Sequence, residues 1–250
     1  MMKRFLPVAA FLLCPVSLPV SASEAVWRVT LETGPVWFSR NDARIPNDGN
    51  GDRFDVTDLT GSGPDAYLRL GFEYDWDERH TVTGLYAPLR TYGTSVPGEE
   101  IRFAGETFSA GAPLKATYKF NTYRLGYRYR FLDTARWRVR AGATVLVRDA
   151  NIRLSQGDTT ADDPDLGLVP LLAFDATRYL GNGWSLEFDV EGLGAPQGRA
   201  IDAAVSLQYD WSDRVTGRIG YRTLEGGADN DSVYTFAWAH YGIAGLQYRF

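Results

Sequence analysis

Charged residues at every second position are the part of this sequence best suited to do chemistry. Arg124, Arg128 and Arg130 share one parity in the segment that ends at Phe131, and Arg138, Arg140 and Arg148 share one parity in the next. Glu187, Asp189 and Glu191 form an acidic series of the same kind, continued by Asp202 and Asp210. Arg69 and Glu73 come before these runs, and Arg218 and Arg222 after them. A period of two places such residues on one face of a β-strand. Beyond residue 22, lysine occurs only as Lys115 and Lys119. Arginine is the cation suited to planar, two-pronged pairing with carboxylates in a confined space. Two outcomes follow from a face of this composition. Its charges neutralise one another as a salt-bridged filling, because unpaired charge is costly away from water. Alternatively they form a polarised constriction that binds or passes small charged solutes. The filling is the favoured reading.

Other chemistry is sparse. The histidines are His80 and His240, and the single cysteine, Cys14, lies near the start. The body of the chain therefore has no thiol chemistry and no disulfide framework. The stretch Asn47 to Arg53, NDGNGDR, is rich in oxygen ligands but lacks the spacing and terminal glutamate of a calcium loop. Asp229 and Asp231 form an acidic pair of the sort that is usually only solvated. Metal-ligand spacing, a phosphate loop and a nucleophile motif are all lacking, so no catalytic residue, metal or cofactor is assigned. A net charge of -5 gives no reason to expect nucleic-acid binding.

The elements that would carry these faces read as long strands. Met1 to Ala22 has a basic start at Lys3 and Arg4, a short apolar core and small residues at Val20-Ser21-Ala22, the pattern of a cleaved export signal. Residues 23–250 then read as one domain. Trp27, Val29 and Leu31 alternate with Arg28, Thr30 and Glu32, and a polar segment follows from about Asn41 to Pro64. Leu68, Leu70, Phe72, Tyr74 and Trp76 oppose Tyr67, Arg69, Gly71, Glu73 and Asp75. A third strand, His80 to Tyr92, alternates poorly around Pro88, and a long connection covers Pro97 to Pro113. Tyr123 to Phe131 and Trp137 to Arg148 form the next pair, followed by an acidic loop over about Gln156 to Asp165. The strand from Leu166 to Tyr179 is ambiguous, because Val169 to Ala173 is apolar on both parities. Trp184 to Glu191, Ile201 to Trp211 and Val215 to Arg222 continue the rhythm, with Leu224 to Asp231 read as a loop.

The last stretch, Ser232 to Phe250, alternates throughout. Phe250, Tyr248, Leu246, Ala244, Gly242, His240 and Trp238 lie on one parity, and Arg249, Gln247, Gly245, Ile243 and Tyr241 on the other. Short turns follow Trp76, Phe131 and Trp211, and longer polar connections alternate with them. The aromatic share is 14%, and the mean hydropathy of -0.25 is what alternating strands produce by dilution. A soluble periplasmic sandwich or a lipocalin-like barrel would show the same alternation with its apolar face inside. Strand length, aromatic strand ends and the charge of the polar face favour the inverted arrangement, in which the apolar face meets lipid. The fold class is thus all-β, an antiparallel up-and-down transmembrane β-barrel of about ten strands.

A terminal strand with Leu246, Tyr248 and Phe250 at alternate positions, ending on phenylalanine, resembles that of Gram-negative outer-membrane β-barrels. The resemblance covers the whole chain. It implies export to the outer membrane, recognition of these three residues by the barrel-assembly machinery, contact with outer-membrane lipid and lipopolysaccharide, and a monomer. The inward ionic set is then Arg69, Glu73, Arg124, Arg128, Arg138, Arg140, Glu187, Asp189, Glu191, Asp202 and Arg218. Some barrels of this size are enzymes: omptin proteases use paired aspartates and an Asp–His pair at the outer rim, and lipid A deacylases a lipid-facing His and Ser two positions apart. Here His80 sits beside a short turn, and His240-Tyr241-Gly242 lacks the serine. The expected role is non-enzymatic: structural or ligand-binding at the cell surface, with a narrow channel for small charged solutes as the alternative and a lipid- or peptide-modifying enzyme third.

Overall fold

The structure, a computed structural model, describes residues 25–196 and 198–250. The export signal read at Met1 to Ala22 lies outside the described residues. The elements are β1 (Val26–Arg44), β2 (Phe54–Asp55), α1 (Thr57–Thr60), β3 (Asp65–Asp75), β4 (His80–Ala87), β5 (Arg90–Ser95), β6 (Ile101–Phe103), β7 (Glu106–Phe108), β8 (Leu114–Asp133), β9 (Trp137–Gln156), β10 (Thr159–Gly181), β11 (Trp184–Ala195), β12 (Gly198–Asp210), β13 (Val215–Asp229) and β14 (Tyr234–Arg249). Each wall strand pairs antiparallel with its neighbour, and β14 returns to pair with β1, closing a barrel of ten strands. Both β4 and β5 pair with β8 and share one wall position. Their interruption falls at Pro88 and Leu89, because proline has no N–H for the ladder. This is the local cause of the poor alternation there.

Alternation leaves two ways to fold such strands, and the structure takes the inverted one. Leu125 (66% exposed), Leu166 (76%), Leu172 (66%), Leu70, Val145 and Ile219 stand on the outer surface. A continuous exposed apolar band of this kind is the lipid-facing belt of a membrane barrel. At the end that carries the short turns, Trp27 packs on Tyr74 and Trp184 on Tyr209, with ring centroids 4.1 and 4.7 Å apart. The Phe250 N–H donates to the Trp27 carbonyl there at 2.9 Å.

At the opposite end the strands outrun their sequence signal. Gln156 to Asp165 is not a loop: β9 and β10 form a hairpin there. Similarly, β13 runs through Leu224 to Asp229, and β1 runs past Asn41 to Arg44. Above the lipid both faces of a strand can be wet, so alternation fades while the ladder continues. The ambiguous stretch of β10 turns Leu171 and Ala173 inward and Leu172 and Phe174 outward.

Two connections fold into this outer mouth. The first carries β2 and α1, and the second carries the β6–β7 hairpin. Val56, Leu59, Ile101, Phe103 and Phe108 are buried against Leu114, Tyr118 and Leu154 of the wall. The helix fits because β5 has glycine beneath it: a Cβ on Gly93 would stand 2.1 Å from the Leu59 carbonyl oxygen. Arg102 ties the two connections together through Asp52 at 2.5 Å. The Asp52 N–H also donates to the Arg102 carbonyl at 2.9 Å. That side-chain hydrogen bond holds the Asp52 carboxyl below its ordinary pKa.

Candidate functional site

The inward parity of the wall strands carries a chain of ion pairs at mid-barrel. Arg124 on β8 donates to Glu191 on β11 at 2.7 Å and reaches Asp202 on β12 at 2.7 Å. Arg222 on β13 donates to Asp202 at 2.6 Å, and Arg69 on β3 donates to it at 3.3 Å. Asp202 (2% exposed) therefore gathers guanidinium groups from three separated parts of the wall. Glu32 on β1 sits within 3.6 Å of Arg69 and 3.3 Å of Arg222, and accepts a hydrogen bond from the Tyr67 hydroxyl at 3.1 Å. Glu191 also accepts from Arg128 and, at 2.7 Å, from the Thr144 hydroxyl. Arg128 approaches Asp175 at 3.6 Å. Four guanidinium groups (Arg69, Arg124, Arg128, Arg222) thus meet Glu32, Asp175, Glu191 and Asp202, with Asp189 as a fifth carboxylate at the edge, so the buried charges of the layer are paired.

A second layer lies nearer the short turns. Arg140 donates to Asp175 at 2.7 Å and to Glu73 at 3.1 Å. Arg28 holds Glu73 and Asp75, both at 2.7 Å, and Arg218 donates to Glu187 at 2.7 Å. Between the two layers, among Arg69, Glu73, Arg128, Arg140, Glu187 and Arg222, a space of 130 Å³ remains.

The structure brings most of the sequence-predicted set together and rearranges the rest. Arg138 forms no ion pair among the described residues; it donates to the Thr177 hydroxyl at 3.2 Å. Asp189 stands at the edge of the network, 3.9 Å from Arg222. The arginines of β8 and β9 meet the carboxylates of β11 and β12 only through Arg124 and Arg128 with Glu191 and Asp202. Elsewhere the signs interleave, through Arg28, Glu32, Asp75, Asp175 and Arg222, which the predicted set omitted. Arg28, Glu32, Asp75 and Arg222 already stood on polar parities in the sequence. Asp175 stands just past the doubly apolar stretch of β10, in a strand whose faces parity leaves ambiguous.

Above the network, on the side away from the short turns, lies a cavity of 480 Å³ whose lining includes Asn41, Tyr118, Phe120, Leu146, Leu171 and Leu224, with Arg124 and Asp202 also on its wall. It exists because one quadrant of the mouth is built from small inward residues: Ala200, Gly226, Ala228 and Ala237 all line it. Arg148, paired with Asp165, closes one side. Asp163 nearby has its carboxyl pushed up by burial and by the neighbouring charges of Asp165 and Asp162.

The two histidines lie outside the lumen. His80 stacks on Trp76 with ring centroids 5.2 Å apart, and its Nδ1 lies 2.6 Å from the Tyr127 hydroxyl. His240 stacks on Trp37, with Nδ1 2.5 Å from the Tyr221 hydroxyl. Its Nε2 lies 2.8 Å from Ser39 Oγ. The serine absent from its own strand is thus supplied by β1, at the bulge where the register shifts between Phe38 and Arg40. Pairing across the closing seam cannot be read from either strand alone. The oxygen-rich stretch at Asn47 spends its carboxylates internally, with Asp48 accepting from Asn50 and Asp52 held by Arg102. Leu246 and Tyr248 stand exposed on the outer face of β14, and Phe250, just past its end, is exposed with its ring against Tyr248 at 4.8 Å.

No family model matches this chain, and no curated protein matches it. Among solved structures, it is similar to the outer membrane protease OmpT from Escherichia coli, with a TM-score of 0.55 and 9% identity over 94% of this chain and 99% of that one. Looser likenesses are the attachment invasion locus protein Ail of Yersinia pestis, in complex with the heparin analogue sucrose octasulfate (TM-score 0.42, 12% identity, 91% and 100% covered), and Neisserial surface protein A (TM-score 0.40, 12% identity, 91% and 100% covered). The fold is that of the Gram-negative outer-membrane β-barrels.

Proposed function

We propose that this outer-membrane barrel is closed and non-catalytic, and that it acts through its outer face as a structural or ligand-binding component of the cell surface. The observation that carries this reading is the meeting of Arg69, Arg124 and Arg222 on Asp202. A carboxylate held from three sides bars the lumen with neutralised charge, and opening a path would leave buried ions uncompensated. Osmotic swelling of liposomes that hold the refolded protein tests it. Swelling no faster than in empty liposomes is expected for arabinose, glycine and glutamate alike. Swelling with any of them would favour the narrow channel instead. On this reading the barrel is a monomer, Lys115 and Lys119 meet lipopolysaccharide phosphates, and Leu246, Tyr248 and Phe250 are read by the assembly machinery.

One observation favours a second reading, ester cleavage in the outer leaflet. Ser39, His240 and Tyr221 form a hydroxyl–imidazole–phenol line on the outer surface, the arrangement of a nucleophile, its base and an orienting group. Against it stands the oxyanion site such chemistry requires: the nearby Trp238 indole N–H is already committed to Thr223 at 2.8 Å. Lipid A from cells expressing the wild type and Ser39→Ala should be identical by mass. An acyl chain lost only with the wild type would establish the enzyme.

A further inference from the structure

We infer that the 480 Å³ outer cavity binds a small amphipathic amine that enters from outside the cell, its ammonium on Asp163 and its apolar body against the aromatic and leucine lining. This rests on the reading of the barrel as closed, and supplies the ligand class that reading leaves open. Size comes first, since small-molecule sites are concave, mostly apolar and of about 300–1,000 Å³. Tyr118, Phe120, Leu146, Leu171 and Leu224 offer an apolar wall for a hydrocarbon or aromatic body.

Charge sets the head. Three arginines line the cavity, and each already has its carboxylate. Arg124 holds Glu191 and Asp202, both at 2.7 Å, Arg148 holds Asp165, and Arg199 donates to Glu225 at 2.7 Å. One acid is left over. Asp163 lines the same cavity, opposite Ile152 on the inward parity of the β9–β10 hairpin. It is half-buried, and among the described residues its carboxylate has no ion-pair partner. The charges of Asp165 and Asp162 bear on it together with burial, and all three disfavour its ionised form. A cation brought by a ligand offsets them.

The hydrogen-bonding inventory agrees. Asn151, across the hairpin from Pro164, also lines the cavity, and its Oδ1 is buried without a donor. An ammonium carries three N–H donors and no acceptor, so a head on Asp163 has donors to spare for Asn151. The unpartnered donors of the lining, Asn41 Nδ2, Arg124 Nε and Arg148 Nε, call only for a neutral acceptor, which water can supply. An anionic head would instead stand among Asp163, Asp165, Asp202 and Glu225 with no arginine free to receive it.

The small quadrant supplies the space. Ala200 and Ala237 border the cavity, and side chains of ordinary size there would fill it. Below it the Arg124–Asp202 pair forms the floor, so the site is a dead end and not a station on a path.

The test uses the full barrel refolded into phosphatidylcholine nanodiscs. Three probes share a phenylbutyl body and differ in head: 4-phenylbutylamine, 4-phenylbutanol and 4-phenylbutyrate. Saturable binding of the amine, above that of empty nanodiscs and at least tenfold tighter than any binding of the alcohol or the acid, is expected by calorimetry. Asp163→Asn keeps the shape of the side chain and removes its charge, and should bring the amine down to the level of the alcohol. Ala237→Leu, which fills the cavity from β14, should abolish binding, and Ala200→Leu does the same from β12 if the first variant fails to fold. No saturable binding of the amine by the wild type, or equal or tighter binding of the alcohol or the acid, would overturn the assignment. So would a preference for the amine that survives Asp163→Asn, or binding that survives a well-folded filling variant. Swelling assays on the same preparation separate the two claims. Binding with swelling would sink the closed lumen alone, and silence without binding would sink the cavity site alone.

Discussion

The mid-barrel layer and the outer mouth fill the barrel by opposite means. In the layer, Glu32, Asp175, Glu191 and Asp202 are matched by Arg69, Arg124, Arg128 and Arg222. In the mouth, Val56, Leu59, Ile101, Phe103 and Phe108 pack as in the core of a soluble protein. The layer has directional contacts, so one missing group is felt by every partner. The mouth has non-directional burial, which can be omitted from one quadrant without loss elsewhere, and the cavity occupies that quadrant. A membrane barrel places its apolar residues outward, so only charge and hydrogen bonds are left to fill the middle. Where the strands rise above the lipid that restriction ends, and connections can fold in.

If the contrast holds, damage should propagate in one region and stay local in the other. The largest effect is expected from Asp202→Ala, which leaves Arg69, Arg124 and Arg222 short of a shared partner. Removing one member of a buried ion pair costs about 3–5 kcal/mol. The whole barrel should therefore lose heat resistance in electrophoretic mobility assays, and lose cooperativity in urea. Leu59→Ala removes a comparable share of burial, about 2–5 kcal/mol for a well-packed leucine, but in the mouth. Its expected signature is protease cleavage within residues 45–64 with the heat resistance of the barrel unchanged. An equal fall in heat resistance for both variants would erase the distinction.

The smallest effect concerns acid. The folded Asp52 carboxyl titrates below its unfolded value because Arg102 favours its charged form. Its contribution is therefore complete above the unfolded value near about pH 4 and is lost as pH falls through the lower folded value. The pair is solvent-exposed, so its effect on the stability of the whole barrel is small. Hydrogen exchange at the Arg102 and Asp52 amides, corrected for intrinsic rates, should rise in that window for the wild type. In Asp52→Asn it should already be fast at neutral pH.

Legibility in the sequence follows the same division. Where lipid lies on one side and the lumen on the other, every residue must choose, and the sequence alternates. Leu68 to Asp75, Tyr123 to Arg130 and Trp184 to Glu191 could be assigned to faces from parity alone. The inward arginines and carboxylates of those strands were visible for the same reason. Across the lumen nothing in sequence spacing links Arg69 to Asp202 or Arg124 to Glu191, so the interleaving of signs appeared only with the closed register. Asp175 was masked by apolar neighbours on both faces, and Arg138 had the right parity but sits beyond the reach of a carboxylate. Above the lipid the choice of face relaxes, and β9, β10 and β13 were cut short in consequence. The cavity left a trace only in Ala200, Gly226, Ala228 and Ala237, whose small size means little until they share a quadrant.

The central claim is that the charged layer closes the lumen, and single-channel recording of the refolded protein in a planar bilayer tests it most directly. Insertion confirmed by protease protection, with no discrete current steps for the wild type and with steps appearing in Asp202→Ala, is the expected result. Stable, reproducible conductance steps from the wild-type barrel would contradict it.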